Sequence, residues 1–143
     1  MSSVRILTVE DYEPYRRFVS SALQREPELQ IVWEATDGLE AVQKAEELKP
    51  DLILLDVGLP TLNGLEAARL ICKVCPASKI IFLSQESSAE VVERAFSLGA
   101  SGYVEKTHAG SELLVAVKAV LQGKSFVSSG LWGSHVPDQA HAP

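Results

Sequence analysis

The sequence holds only two cysteines in 143 residues, too few for the disulfide framework that stabilises small secreted domains. It also lacks any run of basic residues, since 13 Lys and Arg face 19 Asp and Glu for a formal charge of -6. A surface of that sign repels phosphate backbones and anionic lipid, so direct nucleic-acid or membrane binding by this chain is not expected. No apolar stretch is long enough to cross a bilayer. The apolar run near Met1 is cut short at Glu10, too early for a signal peptide, which makes a cytoplasmic protein the expectation. What is present is 46% hydrophobic and 22% charged residues. That suits one globular core and argues against disorder.

Short apolar runs rich in β-branched residues recur at Val4 to Val9, Ile31 to Ala35, Leu52 to Leu55, Ile80 to Leu83 and Gly102 to Val104. Their length and near-continuous hydrophobicity predict five strands buried on both faces. Between them the period becomes helical. Tyr15, Phe18, Val19, Ala22 and Leu23 share one helical face, with Pro14 suited to the first helical position and Pro27 as the stop. Later helices open on Asp37-x-x-Glu40, Asn63-x-x-Glu66 and Ser87-x-x-Glu90, a capping residue followed by a Glu that can reach back. Pro50, Pro76, Gly99 and Gly123 mark helix ends, and the last helix carries Leu113, Leu114, Val117, Val120 and Leu121. Strict alternation predicts right-handed crossovers and a parallel sheet with helices on both sides. Five units favour an α/β flavodoxin-like (βα)5 three-layer sandwich, strand order 2-1-3-4-5, over an eight-unit barrel. The domain is expected to span 1–123. Residues 124–143, with Ser, Gly, Pro and His, no helical period and Trp132, read as a flexible tail or the start of a linker.

Such a sheet gathers its chemistry at the carboxyl ends of its strands, near the switch point between the first and third. Glu10 and Asp11 follow the first run, Asp56 closes the third, Ser84 closes the fourth and Lys106 lies just beyond the fifth. Three converging carboxylates repel one another unless a cation neutralises them. An all-oxygen set suits a hard ion such as Mg²⁺. Lys106, the Ser84 hydroxyl and loop N–H groups suit an anion instead. The pocket therefore fits a carboxylate that takes up a phosphoryl group. Singly, each residue has a plainer reading as cap, turn former or surface lysine. It is their joint arrival at four strand ends that carries the argument.

The segments Val4 to Asp11, Pro50 to Pro60, Asn63-Gly64 and Gly99 to Lys106 resemble those of bacterial response-regulator receiver domains, over about residues 4 to 123. Glu34-Ala35-Thr36-Asp37-Gly38 and the Tyr103-Val104-x-Lys106-Thr107 ending resemble the NarL-like subfamily, whose members usually append a DNA-binding domain; the twenty residues after Gly123 are too few to hold one, so the expectation is either a stand-alone receiver or a sequence that stops ahead of the effector. The resemblance implies that Asp56 is the phosphoacceptor of a two-component system, charged by a sensor histidine kinase. It implies that Glu10, Asp11, Asp56 and the Gly58 carbonyl bind Mg²⁺, that Ser84 and Lys106 hold the phosphoryl group, and that Tyr103 is an aromatic switch. In that scheme Tyr103 rotates from an exposed to a buried rotamer and reshapes an interaction surface. A homodimer is possible, the output partner is open, and the only reactions expected are the domain's own phosphorylation and dephosphorylation. Departures from the family are Ser84 for the commoner threonine, Gln85 for a small residue and Thr107 for a frequent proline.

Two other classes fit the pattern less well. An Asp-nucleophile phosphohydrolase would want a second acid two residues after Asp56, where Gly58 stands. A receiver-like module that has lost phosphorylation would show damage among the acids, and none is visible. Cys72-x-x-Cys75 lies at the carboxyl end of a predicted helix, where the dipole disfavours a thiolate, so both cysteines read as structural. Gly123-Lys124-Ser125 follows a helix and lacks the upstream glycine of a phosphate-binding loop, and His108 reads as solvated.

Overall fold

The computed structural model describes residues 3–129. Six parallel strands, β1 (Val4–Val9), β2 (Leu29–Ala35), β3 (Leu52–Leu55), β4 (Lys79–Ser84), β5 (Gly102–Glu105) and β6 (Phe126–Val127), form one sheet. Their order is β2-β1-β3-β4-β5-β6, the flavodoxin-like arrangement expected with one strand added at its edge. The crossovers are α1 (Glu13–Leu23), α2 (Gly38–Leu48), α3 (Gly64–Val74), α4 (Ala89–Ser97) and α5 (Ala109–Leu121).

Alternation along the strands builds two cores. Leu7, Val9, Ile53, Leu55, Ile80, Phe82 and Tyr103 face α2, α3 and α4. Ile6, Leu52, Leu54, Ile81, Leu83 and Val104 face α1 and α5. The central strands β3 and β4 are so enclosed and almost wholly apolar, which is why their runs read as continuous, whereas β2, expected to be buried on both faces, lies at the sheet edge and is buried only at Leu29 and Ala35.

The caps behave as spacing predicts at two helices. Asp37 accepts the Glu40 N–H at 2.8 Å and Asn63 accepts the Glu66 N–H at 3.0 Å. At α4 the cap is Ser88, one residue past the expected Ser87, and its hydroxyl accepts the Val91 N–H at 3.2 Å. Either serine can cap, and the docking of Val92 and Ala95 into the core selects the frame. In α1 Pro14 is the second helical residue and the helix already ends at Leu23, ahead of Pro27.

The largest difference lies past Gly123, whose positive φ of 86° ends α5 as expected. Residues 124 to 129, read from sequence as tail, continue the domain instead. Gly102 pairs with Phe126 and Tyr103 with Val127. Buried Ser128 then accepts the Glu105 N–H at 2.8 Å and donates to Glu112, while the Ser129 N–H and hydroxyl donate to the same carboxylate. A single acid on α5 thus pins the strand. The rest of the expected tail, 130–143 with Trp132, lies outside the described residues.

Candidate functional site

Sheet register delivers the reactive residues to one place. Val9 pairs with Leu55, Leu55 with Phe82 and Ser84 with Glu105, so the residues that follow leave the sheet side by side. The Glu10 N–H donates to the Ala35 carbonyl at 3.0 Å and the Asp56 N–H to the Val9 carbonyl at 3.2 Å. Both backbones are therefore held one residue beyond their strands. Helix α3 starts against this loop because residue 64 is glycine. Its N–H donates to the Val57 carbonyl at 2.7 Å, and a Cβ there would lie 1.9 Å from the Asp56 carbonyl oxygen.

Glu10, Asp11 and Asp56 each present a carboxylate oxygen within 4.8 Å of the others. Glu10 and Asp56 are buried, and Asp11 is exposed at the mouth. The Lys106 ammonium lies 2.7 Å from Glu10 Oε1 and 3.1 Å from Asp56 Oδ2. The second Glu10 oxygen accepts the Tyr12 N–H at 3.1 Å, and the second Asp56 oxygen accepts the Gly58 N–H at 3.3 Å. Burial pushes the Glu10 carboxyl above the usual range and the Asp56 charge adds to this, against hydrogen bonds from Lys106 and Tyr12. One ammonium for three acids leaves net negative charge in a partly desolvated pocket. A small all-oxygen cluster of that kind fits a hard divalent cation.

Ser84 is buried at the end of β4, and its hydroxyl oxygen accepts the Glu86 N–H at 3.0 Å. Tyr103, expected to start exposed, is instead fully buried with its hydroxyl donating to the Glu86 carbonyl at 2.8 Å. The core beneath α4 accommodates the ring against Phe82, with centroids 6.0 Å apart, and the Glu86 carbonyl satisfies the hydroxyl that burial would otherwise strand. Burial raises the Tyr103 phenol to about 12, so the group stays a neutral donor. Gly58 is exposed beside the pocket, and a Cβ there would meet nothing within 4 Å.

The structure thus brings Glu10, Asp11, Asp56, Gly58 and Lys106 into direct contact or close approach, with Ser84 and Tyr103 on the neighbouring strand ends. Two participants were not legible as such. The Arg16 guanidinium donates to the Glu10 carbonyl at 2.8 Å and lies 3.5 Å from Glu34. Tyr15, legible only as part of the buried face of α1, has its ring centroid 4.5 Å from the Lys106 ammonium. The one available signal was their position four and five residues past Asp11, in the first turn of the helix that follows the acidic loop. The two cysteines behave as expected: Cys75 is buried against Ser78, and burial raises the Cys72 thiol, which donates to the Leu98 carbonyl at 3.2 Å. His108 is half-buried and lies 3.4 Å from Glu105.

Comparison with known proteins gives a consistent result. The family profile described as response regulator receiver domain matches residues 6–118. The transcriptional regulatory protein DegU of Brevibacillus brevis is 34% identical over 126 residues, 88% of this chain and 53% of that protein. LiaR of Bacillus subtilis is 31% identical over 139 residues, 97% of this chain and 66% of its own length. The chain therefore spans between half and two thirds of these relatives. A crystal structure of a LuxR-family two-component response regulator from an Aurantimonas species superposes with a TM-score of 0.83 at 34% identity, covering 93% of this chain and 95% of that one.

Proposed function

This chain belongs to the response regulator receiver domain family, with relatives of the NarL and LuxR type, and from that membership we propose that Asp56 is the side chain that takes up the phosphoryl group. Receiver domains are the signalling modules of two-component systems. The observation that carries the assignment is the partly buried Lys106 ammonium at 2.7 Å from Glu10 and 3.1 Å from Asp56. A cation already in place beside Asp56 stabilises the extra negative charge that an acyl phosphate brings.

In the proposed reaction an Asp56 oxygen attacks the phosphorus of a phosphohistidine on a sensor histidine kinase. The bond from phosphorus to the imidazole nitrogen breaks, and that nitrogen is left free to take a proton. Lys106 follows the charge onto a phosphoryl oxygen, and the Ser84 hydroxyl donates to another. Receiver domains bind Mg²⁺ at an acidic pocket. Glu10, Asp11 and Asp56 with the Gly58 carbonyl are the residues that would hold it here, and when bound it supplies positive charge against the transferring oxygens. Tyr103 and Ser84 both grip the Glu86 backbone, so a phosphoryl group that draws the serine hydroxyl away alters the hold on the loop ahead of α4. That route supports a conformational output through α4, β5 and α5, to a second copy or a downstream partner. Intactness of the acids argues against a module that has lost phosphorylation, and Gly58 argues against a phosphohydrolase. No helix among the described residues is long and apolar enough to cross a membrane.

Incubation with acetyl phosphate and Mg²⁺ is expected to add one phosphoryl group by intact mass, and Asp56→Asn to abolish the addition. Full labelling of that variant would refute the assignment.

A further inference from the structure

We propose that Tyr15 is a positioning residue for Lys106, gripping that lysine at both ends so that its ammonium stays aimed into the acidic pocket. The inference rests on the reading of Asp56 as phosphoacceptor. Two contacts made by one side chain carry it. The Tyr15 ring centroid lies 4.5 Å from the Lys106 ammonium, within the range of a cation over an aromatic face. The Tyr15 hydroxyl donates to the Lys106 backbone carbonyl at 3.2 Å, across 91 residues of sequence. The ring itself is braced by Phe18, with centroids 5.2 Å apart and planes tilted by 48°.

The physical need for such a grip follows from the lysine. Its stem has many rotamers, and its charge is contested by two carboxylates. When Asp56 changes from carboxylate to acyl phosphate, the ionic partners of the ammonium change in charge and position. An aromatic face carries no net charge and attracts the ammonium in both states. It therefore limits how far Lys106 swings toward Glu10 before phosphorylation, and it keeps the stem extended afterwards. Burial, helped by the charges of Glu10 and Asp56, raises the Tyr15 phenol to about 12, so the hydroxyl remains a donor through neutral pH.

The test uses the whole chain, with acetyl phosphate and Mg²⁺ as the phosphodonor system. Tyr15→Leu removes both contacts, and the phosphorylation rate is expected to fall about fivefold, the equivalent of about 1 kcal/mol of cation–π attraction. Tyr15→Phe keeps the ring and is expected to restore most of the rate. Replacing Tyr15 with phenylalanines of increasing fluorination drains the ring face of negative charge at nearly constant shape, so the rate should fall stepwise. That series moves a cation contact and leaves simple packing unchanged, and it stands even where Tyr15→Leu fails to fold. The wild-type ring should also shift the Lys106 side-chain methylene protons upfield in NMR spectra, a signature kept in Tyr15→Phe and lost in Tyr15→Leu. A flat fluorination series, or Lys106 resonances unmoved by Tyr15→Leu, would overturn the inference. Failure of the wild-type chain to take any phosphoryl group would instead refute the function assigned to Asp56, and the ring-current shift would still report whether the grip exists.

Discussion

Gly64→Ala is the smallest change that should damage both the fold and the pocket. The new Cβ would lie 1.9 Å from the Asp56 carbonyl oxygen and 2.8 Å from the Asp56 carbonyl carbon and the Val57 Cα. All three are backbone atoms, so no side chain can swing aside. Reaching even a 3.0 Å separation requires the loop and α3 to part by about 1.1 Å. A movement of that size stretches the 2.7 Å bond from the Gly64 N–H to the Val57 carbonyl beyond hydrogen-bonding range. Overpacking of this kind costs about 1–3 kcal/mol, and the broken bond about 1 kcal/mol more. At about 3–5 °C per kcal/mol for a domain of this size, the melting midpoint should fall by about 6–20 °C. The phosphorylation rate should drop by about two orders of magnitude, the usual consequence of displacing a reacting group by about 1 Å. Urea and thermal melts followed by circular dichroism measure the first effect, and intact-mass time courses the second. Gly110→Ala is the control, because nothing lies within 4 Å of its Cβ and alanine near a helix start stabilises by about 0.5–1 kcal/mol. A Gly64→Ala protein that melts within about 2 °C of wild type and phosphorylates normally would refute the reasoning.

Three further outcomes are expected. Ser84→Ala should still be phosphorylated but should lose most of the amide chemical-shift response across residues 86–106, because the Ser84 oxygen accepts the Glu86 N–H and a phosphoryl oxygen that accepts the hydroxyl proton would pull that oxygen, and the loop it holds, toward the pocket; wild-type-sized shifts would show another route. Thr8→Val should raise stability by about 1 kcal/mol in urea melts, since the buried Thr8 hydroxyl has no partner among the described residues and valine matches its shape. Glu40 is held below its ordinary 4.5 by hydrogen bonds from the Trp33 indole and then the Thr36 N–H. Its contribution to stability is therefore present above the unfolded value and lost as pH falls through the lower folded one. The stability gap between wild type and Glu40→Gln should close on acidification below about pH 4.5, and a gap independent of pH would contradict this.

Much of this protein was legible from periodicity. A parallel strand buried on both faces is mostly apolar, so Leu52 to Leu55 announced itself without neighbours. Asp37 and Asn63 announced their helices because capping is a contact over three residues. The acids were legible too, because a parallel α/β sheet sends every strand's carboxyl end to one edge, which brings Glu10, Asp56 and Lys106 together whatever fills the loops. Tertiary packing decided the rest. Ser88 caps α4 in place of Ser87 because Val92 and Ala95 had to reach the core. The two-residue strand β6 has too little local signal to be read, and it exists through pairing with β5 and the reach of Glu112 to Ser128 and Ser129. Tyr103 is buried because the space under α4 and the Glu86 carbonyl both accept it. Tyr15 meets Lys106 across 91 residues of chain, and a contact of that span leaves no trace in local spacing, because only the packing of α1 beside the end of β5 creates it.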